Sequence, residues 1–95
     1  MANFKMKGSD LYDSAGRKVA TVRANDILDR MGRKVGSVRG DDIRDKTGNK
    51  VGRVQGSSVY DGRNIRIASL SDVRKTIDGA MGGVTVAALW LFFIR

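Results

Sequence analysis

Four residue types are absent from this chain of 95 residues: cysteine, histidine, proline and glutamate. The absence of cysteine excludes a disulfide framework and a thiolate zinc site. The absence of histidine removes the usual general base at neutral pH and the commonest metal ligand. Ten aspartates and the hydroxyl groups remain for acid, base or nucleophilic chemistry. We therefore expect a protein that is not an enzyme and that holds no metal ion and no cofactor.

Long apolar runs are also scarce. The N-terminal stretch MANFKMKGSD contains none, which predicts that no signal peptide is present and that the protein is cytoplasmic. The one long run extends from Ala80 to Ile94, and it is shorter than the roughly 20 apolar residues of a membrane-spanning helix. Lysine and arginine exceed aspartate by eight, giving a net charge of +8. Such a charge favours acidic partners or serves solubility.

A tandem repeat organises most of the chain. Three segments of 16 residues follow one another without a gap: LYDSAGRKVATVRAND (11–26), ILDRMGRKVGSVRGDD (27–42) and IRDKTGNKVGRVQGSS (43–58). A shorter fourth copy, VYDGRNIRIASLSD, begins at Val59. Repeats at a fixed period indicate one supersecondary unit used several times. We therefore divide the chain into a repeat domain (1–79) and a hydrophobic C-terminal helix (80–95).

Each repeat contains a D-x-x-G signature, which predicts a turn between two short strands. The fourth position of the signature holds glycine or asparagine, the residues that best tolerate a positive φ. The aspartate suits the first position of a turn, where its carboxylate accepts backbone N–H groups. The eight structural turn residues predicted on this basis are Asp13, Gly16, Asp29, Gly32, Asp45, Gly48, Asp61 and Asn64.

The second strand of each repeat carries apolar residues three positions apart, such as Val35 and Val38. A regular strand would place these side chains on opposite faces. A small residue follows the first of each pair: Ala20, Gly36, Gly52 or Ala68. A β-bulge at this point would bring both apolar side chains to one face and bend the strand. Repeated bends predict a sheet that curls into a ring.

The sequence therefore predicts an all-β fold with one C-terminal helix. We expect a closed antiparallel barrel of about ten short strands, arranged as five quasi-repeated hairpins. Segments 2–10 and 73–79 resemble half-repeats, and their pairing would close the barrel and remove its exposed edges. A ring of this many strands leaves an open lumen. The apolar tail has a length that fits it, and we assign it core or anchor residues at Val84, Leu89, Trp90, Phe92 and Phe93.

This combination resembles a known group of proteins. The unit "aromatic or aliphatic, x, Asp, x, x, Gly, x, x, Val, Gly or Ala", followed by an apolar tail, is similar to the tubby C-terminal-like group, which includes LURP-one-related and phospholipid-scramblase-like proteins. The chain also resembles the smaller and more symmetric β-flower repeat proteins. The resemblance to the tubby-like group implies binding of anionic phospholipid. No lipid-site motif of that group matches this sequence, so the resemblance assigns no binding residue.

Basic side chains recur at equivalent repeat positions and are the candidate contacts for an anionic ligand: Lys18, Lys34, Lys50, Arg66, Arg17 and Arg33. Rings of positive charge could hold phosphate headgroups or a nucleic-acid backbone. The ordinary alternative is a solvated outer face on which these cations offset the aspartates. Aromatic residues make up 6% of the chain, so stacking of bases has little support and nucleic acid is an unlikely partner.

The sequence thus favours a non-enzymatic binding module at anionic membrane surfaces, in a cytoplasmic protein that can associate with a membrane. The alternative is a structural or self-assembling repeat scaffold without a small ligand. Three roles remain open for the C-terminal helix. It can fill the barrel of its own chain, anchor in a membrane through its Trp-Leu-Phe-Phe-Ile-Arg ending, or bundle with other chains and give a homo-oligomer. Its length and the need for a filler favour the first of these.

Overall fold

The computed structural model describes residues 3–79 and 83–94. In chain order the elements are β1 (Phe4–Lys7), β2 (Asp10–Asp13), β3 (Lys18–Arg23), β4 (Asp26–Asp29), β5 (Lys34–Arg39), β6 (Asp42–Asp45), β7 (Lys50–Gln55), β8 (Ser58–Asp61), β9 (Arg66–Ser69), α1 (Leu70–Arg74), β10 (Ile77–Asp78) and α2 (Val84–Leu89). A π-helical segment, Trp90–Ile94, continues α2. The described part of the chain therefore forms ten strands, and the predicted mostly-β fold with a short C-terminal helix is confirmed.

The ten strands form one sheet in the order β10-β1-β2-β3-β4-β5-β6-β7-β8-β9. From β1 to β9 each strand pairs antiparallel with the next one along the chain. This is the arrangement that successive hairpins produce, so the repeated hairpins expected from the D-x-x-G signatures are present.

The two ends of the repeat domain meet, but they do not close the sheet. Strand β10 pairs with β1, as expected for the terminal half-repeats, although the pairing is parallel and joins only Phe4 with Ile77 and Lys5 with Asp78. Strand β9 has no strand beyond it in the sheet. The closed barrel expected from the sequence is therefore wrong, and the described sheet is open between β9 and β10.

A helix explains the opening. The Ser69 side chain accepts a hydrogen bond from the Asp72 backbone N–H, at 3.1 Å, and so caps the first turn of α1. No D-x-x-G signature follows Ser69, so nothing in the sequence directs the chain into a further hairpin turn. Helix α1 contacts both β9 and β10 and lies between these two strands. The gap in the hydrogen-bond ladder is thus covered by a helix.

The predicted turns are confirmed in backbone detail. The fourth residue of each signature has a positive φ, from +66° at Asn64 to +92° at Gly48. Its N–H donates to the carbonyl of the signature aspartate, for example from Gly32 to Asp29 at 3.0 Å. The predicted bulges are confirmed as well. Pairing shifts by one residue at the same point of every repeat, so that Ile27 opposes Gly36 while Leu28 opposes Lys34.

A second set of turns connects one repeat to the next, and the sequence reasoning missed its conformation. These two-residue links begin at Gly8, Ala24, Gly40 and Gly56, all with positive φ. A positive φ at the first central residue is typical of a type II′ hairpin turn, which prefers glycine there. Ala24 occupies this conformation at φ +54° although it carries a Cβ. The backbone of this link is therefore strained.

The core lies between the inner face of the sheet and the C-terminal helix. One fully buried residue from each first strand points inward: Leu11, Ile27, Ile43 and Val59. Helix α2 contacts β5, β6, β7 and α1, and it buries residues 86–89. Packing of α2 on its own sheet agrees with the filler role favoured by the sequence. In the described residues no helix is both long and apolar enough to cross a bilayer.

Two of the small bulge residues, Gly36 and Gly52, make room for the tail. A Cβ added to Gly36 would collide with the Phe92 ring and with the Arg44 carbonyl oxygen. A Cβ added to Gly52 would lie 3.0 Å from the Tyr60 carbonyl oxygen and 3.1 Å from Leu91 Cδ2. The aromatic end of the chain is thus seated where two repeats carry glycine instead of alanine.

We predict that Ala24→Gly stabilises the protein by about 1 kcal/mol, because glycine removes the penalty of a positive φ. The matched change Gly40→Ala should destabilise it by a similar or larger amount. A Cβ at Gly40 would meet no atom within 4 Å, so the effect would be purely conformational. Chemical denaturation of the three chains measures both. A destabilised Ala24→Gly chain would contradict the assignment of strain to this link.

We also predict that Gly36→Ala destabilises the protein by about 1–3 kcal/mol, the usual range for overpacking a core. Gly52→Ala should cost less, because its contacts need to give by only a few tenths of an ångström. Alanine occupies the equivalent position of the first repeat, at Ala20. Equal losses for the two variants would show that Phe92 is not packed against Gly36.

Candidate functional site

The hairpin topology gathers the four D-x-x-G turns at one end of the sheet. We call this end the turn rim; it comprises residues 13–17, 29–33, 45–49 and 61–65. The two-residue links, 8–9, 24–25, 40–41 and 56–57, lie at the opposite end, the link rim. Because consecutive strands run antiparallel, everything that recurs in the D-x-x-G turns is presented side by side on the turn rim.

The aspartates of the turn rim are engaged by their own turns. In each repeat one carboxylate oxygen accepts two backbone N–H groups, two and four residues further on. Asp29 Oδ1 accepts from Met31 N at 2.8 Å and from Arg33 N at 3.0 Å, and the same pair of bonds is found in the other three turns. Asp13, Asp29, Asp45 and Asp61 are therefore each bonded to the backbone of their own turn.

These bonds also favour the charged form of the carboxylate. The hydrogen bond from the Arg33 backbone N–H is the main cause that lowers the pKa of Asp29 below its ordinary value of 3.8. At Asp45 the main cause of the lowered pKa is the Thr47 hydroxyl, whose oxygen lies 2.6 Å from Oδ1. Partial desolvation opposes both shifts. Both carboxylates therefore remain ionised at neutral pH.

Three of the predicted ligand-contacting lysines are paired within the protein. Each lies near the aspartate that begins the preceding strand: Lys18 Nζ is 3.6 Å from Asp10 Oδ1, Lys34 Nζ is 3.4 Å from Asp26 Oδ1, and Lys50 Nζ is 3.6 Å from Asp42 Oδ1. Their side chains remain between 37% and 47% exposed. The lysine ladder thus forms with a parallel ladder of carboxylates, which partly neutralises it.

Arg66, at the fourth equivalent position, has a different partner. Its Nε donates to the Ser58 hydroxyl at 2.9 Å, because serine replaces the aspartate in this repeat. The guanidinium is exposed and makes no ion pair among the described residues.

The turn rim itself carries several exposed cations. Arg17 and Arg33, both predicted, are exposed there. Arg33 Nε approaches Asp29 Oδ2 at 3.7 Å, but the arginine side chain is 76% exposed. The loop tips add three exposed cations that the sequence reasoning did not select: Arg30, Lys46 and Arg63. Five cations therefore project from one end of the molecule.

Two large apolar side chains share this rim. Met31 is 68% exposed and Ile65 is 55% exposed, and they are the two large hydrophobic residues that stand out as exposed in the described chain. Both belong to D-x-x-G turns. The sequence contained a signal for Ile65, since the equivalent positions hold Arg17, Arg33 and Asn49. Ile65 is therefore an apolar residue at a position that is polar in the other three repeats.

The C-terminal helix points towards the turn rim. Thr85, near its start, lines a small cavity with Gly8 and Ser9 of the link rim. Phe92, near its end, lies against Gly36 in the middle of β5. Of the predicted core or anchor residues, Leu89 is fully buried, whereas Val84, Trp90, Phe92 and Phe93 are partly buried against the core. Each therefore contacts its own chain while retaining some exposed surface.

The described residues contain no group of three or more acidic side chains placed to hold a metal ion. Comparison with known proteins finds no matching family model, no matching curated protein and no matching solved structure.

The turn carboxylates predict acid sensitivity. A carboxyl group with a lowered pKa contributes stability that is present above about pH 4, its unfolded pKa, and is lost as the pH falls through the folded value. Asp45→Asn keeps an acceptor oxygen for the turn but removes the titration. Denaturation between pH 6 and pH 2 should therefore show a shallower loss of stability for Asp45→Asn than for the natural chain. Parallel curves below pH 4 would refute the assignment.

Proposed function

We propose that this protein is a non-enzymatic binding module for anionic membrane surfaces and that the turn rim is its contact face. The observation that carries the proposal is the coincidence, on one rim, of five exposed cations with two exposed apolar side chains. Cations are attracted to an anionic leaflet, and apolar side chains enter the boundary between headgroups and acyl chains. Either feature alone would be unremarkable on a soluble protein.

The charge balance of the rim supports this orientation. The four turn aspartates direct a carboxylate oxygen to backbone N–H groups of their own turns. The cations of the loop tips carry no such internal partner: Arg30, Lys46 and Arg63 make no ion pair among the described residues. The four carboxylates are half-buried and keep their charge, whereas the five cations of the rim are exposed.

The role of the predicted lysines changes within this proposal. Lys18, Lys34 and Lys50 lie one residue behind the turns and are paired with Asp10, Asp26 and Asp42. Their contribution would be to the long-range field that attracts the protein to an anionic surface. Direct contact with headgroups falls to the loop tips and to Arg17 and Arg33.

Co-sedimentation with vesicles tests the proposal. The full chain should bind phosphatidylcholine vesicles that contain phosphatidylserine and should leave pure phosphatidylcholine vesicles in the supernatant. Each basic residue near an anionic leaflet contributes about 1 kcal/mol. The triple change Arg30→Gln, Arg33→Gln and Lys46→Gln should therefore reduce partitioning by roughly 100-fold at low ionic strength.

The link rim supplies the matched control. Lys7, Arg23 and Arg39 are also exposed cations, and they lie at the opposite end of the sheet. Their change to glutamine removes the same net charge and should leave most of the binding intact. The double change Met31→Ser and Ile65→Ser should weaken binding without changing its dependence on salt. Equal losses for the two triple variants would show a response to net charge alone and would contradict the proposal.

A further inference from the structure

We call the face of the sheet that points away from the core the outer wall. The fourth repeat departs from the charge pattern that the first three repeats show on this face. In the first three repeats the strand-start position holds Asp10, Asp26 and Asp42, and each pairs with a lysine of the next strand. In the fourth repeat this position holds Ser58. The residue directly opposite it changes as well, from Lys7, Arg23 and Arg39 in the earlier repeats to Gln55. One carboxylate and one cation are thus replaced together by neutral groups.

The cation that remains in the fourth repeat is Arg66, and it has no carboxylate partner among the described residues. Arg66 Nε donates to the Ser58 hydroxyl at 2.9 Å, and a neutral hydroxyl does not compensate a guanidinium charge. In the other repeats a carboxylate lies within 3.4–3.6 Å of the equivalent lysine. Arg66 is exposed and lies on β9, the last strand of the sheet, so no further strand covers it.

A second guanidinium lies two strands away, at Arg53. On its β6 side Arg53 opposes Asp42, whose carboxylate is paired with Lys50 and Arg44. Arg53 opposes Tyr60 on one side, and Arg66 opposes Tyr60 on the other. Side chains directly opposite across a ladder lie about 5 Å apart at Cβ. The Arg53 guanidinium lies over the Tyr60 ring, 4.9 Å from its centre. Its Nε is buried without a hydrogen-bond partner, and it makes no ion pair among the described residues.

Not every arginine of the outer wall lacks a carboxylate partner, as Arg44 shows. Its Nε is also buried without a partner, but its other nitrogens are satisfied. One donates to the Gly48 carbonyl at 3.0 Å and another lies 3.6 Å from Asp42 Oδ2. The nearest carboxylate in sequence to the Arg53–Tyr60–Arg66 group, Asp61, accepts from the backbone N–H groups of Arg63 and Ile65.

We propose that Arg53, Ser58, Tyr60 and Arg66 form an oxyanion site on the outer wall and that its ligand is a phosphomonoester group. Two guanidinium groups provide planar, multiple N–H donors, which match the oxygens of phosphate better than lysine does. The Ser58 hydroxyl can turn to donate to the same anion. The Tyr60 ring between them keeps Arg53 in place. This site is separate from the turn rim and does not depend on the membrane-binding proposal.

The pattern of the repeats supplies a direct test. Inorganic phosphate is titrated into the full chain at pH 7.5 and constant ionic strength, with arginine Nε and backbone amide signals followed by NMR. Saturable shifts should centre on Arg53, Ser58 and Arg66. Ser58→Asp restores the carboxylate of the other repeats and should weaken phosphate binding at least 10-fold.

The controls separate loss of the site from loss of the fold. Thermal unfolding of Ser58→Asp should match or exceed that of the natural chain, because the new carboxylate pairs with Arg66. Phosphate binding that is unchanged in Ser58→Asp, or shifts of equal size in all four repeats, would overturn the proposal.

A second arm identifies the source of the phosphomonoester. Vesicles that display phosphatidate are compared with phosphatidylserine vesicles. A loss of phosphatidate binding in Ser58→Asp indicates a lipid headgroup, whereas a loss of inorganic phosphate binding alone indicates a free ligand. Both results support the site. Because Ser58→Asp leaves the turn rim intact, phosphatidylserine binding should not change, and the two proposals can fail separately.

Discussion

The inner face of this sheet has to be filled, and its strands cannot fill it by themselves. Each first strand contributes one fully buried aliphatic residue, such as Leu11 or Ile43, and the bulge positions contribute valines that remain partly buried. The missing apolar volume comes from the C-terminal helix, whose residues 86–89 are buried. Burial of apolar surface is the main source of stability in a domain of this size. The repeats and the tail are therefore one folding unit.

This constraint agrees with the position of the contact face that we propose. With the apolar residues of the tail directed to the sheet, the turns are free to carry charge, and their backbone geometry is fixed by the Asp29-type carboxylate bonds. The residues between aspartate and glycine are under little structural demand, because their side chains point into solvent. Arg30, Met31 and Lys46 can therefore be selected for contact with a partner. Side chains on the outer wall, such as Ser58, also lie outside the core, so single residues there can change without disturbing the packing.

Local features of the fold followed from the sequence, and features that depend on contacts between distant residues did not. The D-x-x-G turns and the bulge before Gly36 are set by backbone conformation and small size, which residue type reveals directly. The prediction of a closed barrel was wrong because Ser69 caps a helix at the end of β9. This cap depends on one residue, so the repeat pattern does not reveal it. The cations were found by their repetition, but the pairing of Lys18 with Asp10 requires the strand register. The exposure of Met31 also depends on the three-dimensional conformation of its turn, which residue type alone does not give.

The most direct test of this account asks whether the tail fills the sheet of its own chain. An equimolar mixture of isotope-labelled and unlabelled full-length protein allows isotope-filtered NOE spectra to separate contacts within a chain from contacts between chains. The account predicts NOEs from the Phe92 ring to Gly36 Hα and from the Leu91 methyl groups to Gly52 Hα within the labelled chain. Detection of these NOEs only between labelled and unlabelled chains, or their absence in a folded sample, would contradict it.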